Sequence, residues 1–226
     1  MDQNRIAVVI AAYNEAKVIG DVVRDVVARG YDVVLVDDGS QDGTPGIARD
    51  AGARVVQHPV NLGQGAALQT GIELALAEGA GFIVTYDADG QHHAADIEKL
   101  VAALKTDAAD FALGNRFLGG AVDITGTRRM LLRAATAFTR FTTGLKITDT
   151  HNGLRAMTRR GAGHIRLRQN RMAHASEILH QIAASGLKFV EVPVTITYSA
   201  YSRAKGQKLT DFLAILIDLF ARRLQR

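Results

Sequence analysis

Tyr86-Asp87-Ala88-Asp89-Gly90-Gln91-His92-His93 decides how this chain is read. The apolar run Phe82-Ile83-Val84 leads into it, and Ile97, Leu100, Val101 and Leu104 follow at helical spacing. The order is strand, tight polar loop, helix, with two carboxylates at the strand's carboxyl end. In open α/β sheets ligands bind outside that edge. Asp89, with the amide of Gln91 and the neighbouring Asp87, offers the hard oxygen ligands that Mg²⁺ or Mn²⁺ takes. Such an ion keeps coordination positions for a diphosphate. An Asp-x-Asp alone is equally an ordinary surface turn, so the rest of the chain must decide.

Upstream, strand and helix patterns alternate. Ile6 to Ala12 reads as a buried strand ending in Tyr13-Asn14-Glu15. Val18, Ile19, Val22, Val23, Val26 and Val27 form one helical stripe, closed by Gly30. Val33 to Val36 is a second strand, ending in Asp37-Asp38-Gly39-Ser40. A helix begins near Thr44, with Pro45 in its first turn. Arg54 to Gln57 is a third strand, and Asn61-Leu62-Gly63-Gln64-Gly65 opens a helix. Phe82 to Tyr86 and Phe111 to Gly114 are the fourth and fifth strands. The alternation predicts an α/β fold, a Rossmann-like, mostly parallel sheet with helices on both faces. No G-x-G-x-x-G follows the first strand, so the dinucleotide fingerprint is missing.

The second half breaks this rhythm. Residues 117–126 read as a glycine-rich loop and 128–143 as a helix. Residues 146–152 look turn-like, 153–157 form a short return segment, and 175–184 are helical. A β-rich run over 188–198 is interrupted by Pro193. Leu209 to Leu224 is amphipathic, with Leu209, Phe212, Leu213, Leu216, Ile217 and Phe220 on one side.

The 226 residues, 47% hydrophobic, suit one domain with a full core. With no cysteine, disulfides and a cysteine nucleophile are excluded. No signal-peptide pattern or membrane-spanning run is found, and the expected location is cytoplasmic. The charge of +4 is concentrated in the second half. With 6% aromatics and none interleaved with the basic runs, a nucleic-acid partner is not expected.

Glu15, Asp37, Asp38, Asp87 and Asp89 come from three predicted strand ends. Crowded carboxylates repel, so a metal or a donor network has to make them tolerable. A nucleotide diphosphate bridged by a divalent ion meets that demand, and Asp37 suits the ring N–H of a nucleobase. Asp38 is as readily a helix cap. Gly63 and Gly65 either cradle an anion or merely start a helix. Arg128, Arg129, Arg155, Arg203 and Lys205 are candidate phosphate forks, each otherwise a solvated charge. Glu177 is a candidate general base or a solvated helix residue. The His174-x-x-Glu177-x-x-His180 spacing and His92, His93 and His151 do not match a zinc site.

Together these stretches resemble the family 2 glycosyltransferases of the GT-A fold, nearest the dolichyl- or polyprenyl-phosphate mannosyl- and glucosyltransferases. The resemblance rests on residues 9–15 (Val-Ile-Ala-Ala-Tyr-Asn-Glu), 36–40 (Val-Asp-Asp-Gly-Ser), 61–63 (Asn-Leu-Gly) and 87–92 (Asp-Ala-Asp-Gly-Gln-His). Asp149-Thr150-His151-Asn152-Gly153-Leu154-Arg155 is similar to the acceptor-side Gly-Phe-Arg segment, with Leu154 in place of Phe.

The resemblance implies an inverting, metal-dependent transfer from a UDP-, GDP- or dTDP-sugar to a polyprenyl phosphate or lipid-linked saccharide, in cell-envelope glycan synthesis. Ala12, Tyr13, Glu15, Asp37, Gly63, Asp87 and Ala88 would bind the nucleotide-sugar. Asp89, with Gln91, would hold Mg²⁺ or Mn²⁺. Asp89, Glu177 and Arg155 would be catalytic. Arg128, Arg129, Arg203 and Lys205 would take phosphate or acceptor. The single domain 1–226 would divide into a nucleotide-sugar half (5–115), a smaller acceptor-side half (116–208) and a C-terminal helix (209–226). That helix docks on the inner face of the plasma membrane, closes the core, or pairs with a partner such as a membrane protein. A nucleotidyltransferase and a non-catalytic nucleotide-sugar-binding protein are the alternatives. The chain departs from the family at Gln64, where relatives carry a basic residue. It also departs at Ser176-Glu177, where hydroxyl-glycosylating members show Glu-Asp, and in ending without the transmembrane helices of several polyprenyl-phosphate enzymes.

Overall fold

A computed structural model describes residues 4–122, 126–150, 152–170 and 173–198. Eight strands, β1 (Ile6–Ala12), β2 (Asp32–Asp37), β3 (Arg54–Gln57), β4 (Phe82–Asp87), β5 (Phe111–Asn115), β6 (Gly120–Val122), β7 (Arg155–Thr158) and β8 (Phe189–Thr197), form one sheet among the described residues. Their order is β3-β2-β1-β4-β7-β5-β8-β6. Every pairing is parallel except the two made by β7, which runs antiparallel to both β4 and β5. The halves expected on either side of residue 115 therefore share one sheet: β7, from the second half, separates β4 from β5.

Side chains alternate across the strands and build two cores. On one face Val8, Ile10, Val33, Leu35, Val84 and Tyr86 pack with α1 (Ile19–Val27) and α4 (Ala95–Thr106). On the other, Ala7, Val9, Val36 and Ile83 meet α3 (Gln64–Ala77) and α8 (His174–Ser185). Strands buried on both faces explain the unbroken Val/Ile runs. Gly71 lets α3 approach β1, because a Cβ there would lie 2.3 Å from Val9 Cγ1. Gly71→Ala should overpack this contact and cost about 1–3 kcal/mol, read as a lower urea midpoint with an unchanged slope.

Two expectations change. The glycine-rich stretch is not all loop: α5 (Arg116–Gly119) runs into β6, which pairs with β8. Gly119 makes this fit, since a Cβ there would lie 2.4 Å from the Val194 backbone. Pro193 does not interrupt β8. It pairs with Asn115 at the end of β5, and Thr195 then pairs with β6, so the missing N–H falls where β8 changes partners. The remaining helices are α2 (Thr44–Asp50), α6 (Gly126–Thr143) and α7 (Arg159–Ala162). The predicted helix over 209–224 lies outside the described residues, as do Arg203 and Lys205.

Candidate active site

Strand register brings the acids together. Ala12, at the end of β1, is level with Asp37 of β2, and Ala11 with Asp87 of β4. β1 thus lies between two carboxylate-bearing strand ends, each about 4.8 Å away. Ala12 and Ala88 are buried small residues, and Tyr13 stands 41% exposed at the rim. Asn14, at φ +53°, turns the chain there, and its carboxamide oxygen accepts from Gln41 N–H. Glu15 N–H donates to Thr44 Oγ1, and Ala16 N–H to Asp42. The loops after β1 and β2 are therefore laced together, and Glu15 is buried between them.

Asp37 and Asp38 have different tasks. Asp38 accepts from Leu62 N–H (3.0 Å) and Gly63 N–H (2.7 Å) and pairs with His58 Nδ1 (2.8 Å). His58 reaches on to Thr70 of α3. Asp38 therefore fixes the Asn61-Leu62-Gly63 turn, and Gly63 sits there at φ +106°. This corrects the anion-cradle reading of the glycines. Gly63 N–H is taken by Asp38 and Gly65 N–H by the Asn170 carbonyl, so neither is turned to a ligand. Asp37, wholly buried, uses Oδ2 for Ser40 N–H and Gln57, while its Oδ1 has no hydrogen-bond partner among the described residues.

Asp87 is held on several sides. Gln64 Nε2 donates to Oδ1 (3.3 Å) and His92 Nε2 lies 3.0 Å from Oδ2. The Gly153 backbone presses against the carboxylate so closely that a Cβ there would lie 2.0 Å from it. Burial pushes the Asp87 carboxyl up, but His92, Arg155 and His174 more than offset this and leave it below the usual range. Asp89 goes the other way. Burial and then the Asp87 charge, with a smaller push from Glu15, raise it to about 6 against the backbone hydrogen bond from Gln91 N–H and the nearby His92. Gln91 thus meets Asp89 through its backbone, and its carbonyl accepts from Thr197 N–H.

On the acceptor side, Arg116 is buried. It binds Asp149 Oδ2 through its backbone N–H (3.0 Å) and Nε (2.7 Å), and Tyr198 through a terminal nitrogen (2.8 Å). Arg155 on β7 is 4% exposed. Burial pushes its guanidinium down to about 10, against the Asp87 and Asp149 charges that hold it up, so it remains a cation at neutral pH. Its charge in turn helps hold the Asp87 carboxyl below the usual range. Glu177 also has a task other than the one expected. Its carboxylate accepts from Arg168 N–H (3.0 Å) and Gln169 N–H (2.9 Å), clamping the segment that docks on Gly65. Arg128 and Arg129 lie in the first turn of α6. The contacts that Gln64, His92 and Gly153 make with Asp87, and the burial of Arg116, have no signal in the sequence beyond the motifs that contain these residues.

Four buried side-chain polar atoms have no hydrogen-bond partner among the described residues: Asp37 Oδ1, His92 Nδ1, Asp149 Oδ1 and Asn152 Nδ2. All belong to residues at or just beyond this sheet edge or to the segment pressed against Asp87. Orphaned polar atoms gathered in this way mark a functional site.

The mostly parallel sheet with this acid-lined edge is the GT-A type of α/β fold. A model of the family described as Glycosyl transferase family 2 matches residues 7–166, and the chain belongs to that family. It is 30% identical to the UDP-N-acetylglucosamine–dolichyl-phosphate N-acetylglucosaminyltransferase of Methanococcus voltae, over 91% of either chain. It is 31% identical to the polyprenol monophosphomannose synthase of Mycolicibacterium smegmatis, over 85% of this chain and 77% of that one. The structure is similar to glucosyl-3-phosphoglycerate synthase from Mycobacterium tuberculosis in complex with Mn²⁺ and UDP-glucose. There the TM-score is 0.76 at 22% identity, over 98% of this chain and 78% of that one. Among the described residues no helix is long and apolar enough to cross a membrane.

Proposed function

We propose that this chain transfers a sugar, with inversion, from a nucleotide diphosphate sugar to a polyprenyl-type lipid phosphate in envelope glycan synthesis, using Mg²⁺ or Mn²⁺. The observation that carries the reading is Asp37 Oδ1, buried at the end of β2 without a hydrogen-bond partner among the described residues, on the same sheet edge as Asp87 with one strand between them. A buried acceptor without a donor fits the ring N–H of a base. Asp89 fits the ion: a carboxylate pushed up to about 6 by burial and by Asp87 and Glu15 gains most from a nearby cation.

Among the described residues no three His, Cys, Asp or Glu side chains converge on a metal position. Asp89 would therefore be the main protein ligand, with diphosphate oxygens completing the shell. When bound, the ion supplies Lewis-acid stabilisation of the departing diphosphate. Asp87, held by Gln64 and His92 and kept ionised in part by the Arg155 charge, orients the donor sugar. The Glu177 carboxylate is committed to backbone N–H groups, which favours an acceptor that is already anionic and needs no base. The dolichyl-phosphate and polyprenol relatives support the same class. Arg203 and Lys205 remain proposed phosphate ligands.

The test is a screen of UDP-, GDP- and dTDP-sugars with Mn²⁺ and a short polyprenyl phosphate, reading nucleoside diphosphate release and the glycosylated lipid phosphate. One donor should give both products; failure with every donor rejects the reading. Proton and metal compete for Asp89. Mn²⁺-dependent nucleotide affinity should therefore be level above about pH 7 and fall by roughly tenfold per unit below about pH 6. Calorimetry across that range checks it, and a flat profile removes Asp89 from the metal site.

A further inference from the structure

Glu191, half-buried on β8 and level with Leu113 of β5, gathers four donors on one carboxylate. Its Oε1 accepts from Asn115 Nδ2 (2.8 Å), Thr148 N–H (2.8 Å) and Asp149 N–H (3.2 Å), and its Oε2 accepts from Thr148 Oγ1 (3.0 Å). A carboxylate offers about four lone-pair positions, so this one is saturated within the protein. All four donors are neutral groups. The carboxylate therefore fixes the shape of the chain around it instead of answering a cation.

What it fixes lies beside the candidate site. Asp149, whose N–H it holds, binds the backbone and side chain of Arg116 through Oδ2. Asn115, held by the same carboxylate, uses its Oδ1 to accept from Phe117 N–H (2.8 Å) and Leu118 N–H (3.2 Å), which starts α5. Farther along the stretch that begins at Thr148, the Gly153 carbonyl accepts from Thr85 Oγ1 of β4 at 2.7 Å, and the Gly153 backbone lies tight against the Asp87 carboxylate. Glu191 thus pins one end of a stretch whose other end backs Asp87. We propose that Glu191 is a positioning residue for sugar transfer: it holds this stretch in place behind Asp87 without touching nucleotide, sugar or metal. The proposal rests on the glycosyl-transfer reading and names a residue that acts on the reaction through Asp87.

The test compares Glu191→Gln, Glu191→Asp and Glu191→Ala in the full chain. Reach, not charge, should rank them. Glu191→Gln keeps the reach: its amide oxygen takes the same N–H groups and its NH₂ donates to Thr148 Oγ1, so kcat should stay within roughly threefold of wild type. Glu191→Asp keeps the charge but withdraws the oxygens by about 1.5 Å, one C–C bond. Its kcat should fall roughly 10- to 100-fold, because a displacement of about 1 Å near a site costs up to about 10²-fold. Glu191→Ala should lose at least as much, and if it does not fold, the Glu191→Asp and Glu191→Gln pair decides. Donor KM and the Mn²⁺-dependent affinity and stoichiometry for nucleotide should match wild type in Glu191→Asp and Glu191→Gln. A merely structural role would lower the binding stoichiometry together with the rate. Amide hydrogen exchange needs no turnover: Thr148 and Asp149 N–H should be protected in the wild type and Glu191→Gln and exchange faster in Glu191→Asp. The proposal is overturned if Glu191→Asp turns over like the wild type or Glu191→Gln is as slow as Glu191→Asp. It is also overturned if nucleotide affinity falls with the rate, or if exchange at Thr148 and Asp149 is the same in every variant. A wild type that transfers no sugar rejects the enzymatic reading and the role in transfer together, and altered exchange would then show the clamp to be structural alone. Transfer by the wild type that Glu191→Asp leaves intact rejects the positioning role alone.

Discussion

Asp89→Ala is expected to abolish transfer, by roughly 10³-fold or more, while the protein folds as before. The size follows from removing the main protein ligand of the ion that stabilises the leaving group. The stability effect has the opposite sign to most substitutions. The folded pKa of Asp89, about 6, lies above its unfolded value. The group therefore contributes stability below the unfolded pKa, and that contribution is lost as pH rises through about 6. At about pH 8 the metal-free wild type carries the whole cost of an ionised, crowded carboxylate. Removing it should leave the metal-free protein as stable or more stable, by about 1–3 kcal/mol, partly offset by the lost Gln91 N–H bond. Thermal melts with and without Mn²⁺ and nucleotide read both effects. Ligand-induced stabilisation should vanish in the variant, and unchanged turnover would remove the assigned role.

Asp38→Ala should do the reverse of this to stability. Two backbone N–H groups, of Leu62 and Gly63, and the His58 ring would lose their acceptor together. Each buried donor left unpaired costs about 1–3 kcal/mol, and partial access of water to the turn brings the expected total to about 2–4 kcal/mol. For a domain of this size the melting temperature should fall by roughly 5–15 °C. Gly39 shares the same strain: a Cβ there would lie 2.7 Å from the Val60 backbone, so the turn cannot slide to compensate. Adjacent acids after one strand thus part company, Asp38 holding a loop and Asp37 keeping an oxygen for a ligand. A melting temperature within a degree or two of wild type would show that the turn does not depend on Asp38.

The parallel half of the fold was readable because its signals are local. Val and Ile alternate over the two cores, each strand ends in acids or a polar turn, and Gly63 sits at a left-handed position. The site's main acids followed from those strand ends. What the sequence hid depends on distant partners. β6 is three residues long with no alternation, and exists because Gly119 lets Val194 approach. β7 reads as a return segment, and only pairing reveals that it parts β4 from β5. Glu177 looks like a general base until residues 168–170 fold onto α3 and occupy it. Arg116 is buried in an ion pair with Asp149, which a tally of charges in the sequence cannot tell from a solvated arginine. The Gln64 departure from the family also gains a physical meaning, since its amide holds Asp87.

The most direct measurement is titration calorimetry of UDP, GDP and dTDP into the wild type and the Asp89→Ala variant, each with and without Mn²⁺. One nucleotide should bind the wild type tightly only when Mn²⁺ is present, and the variant should lose that metal-dependent gain. Binding that ignores the metal, or a gain that survives in Asp89→Ala, would contradict a site in which this carboxylate and a diphosphate share a cation.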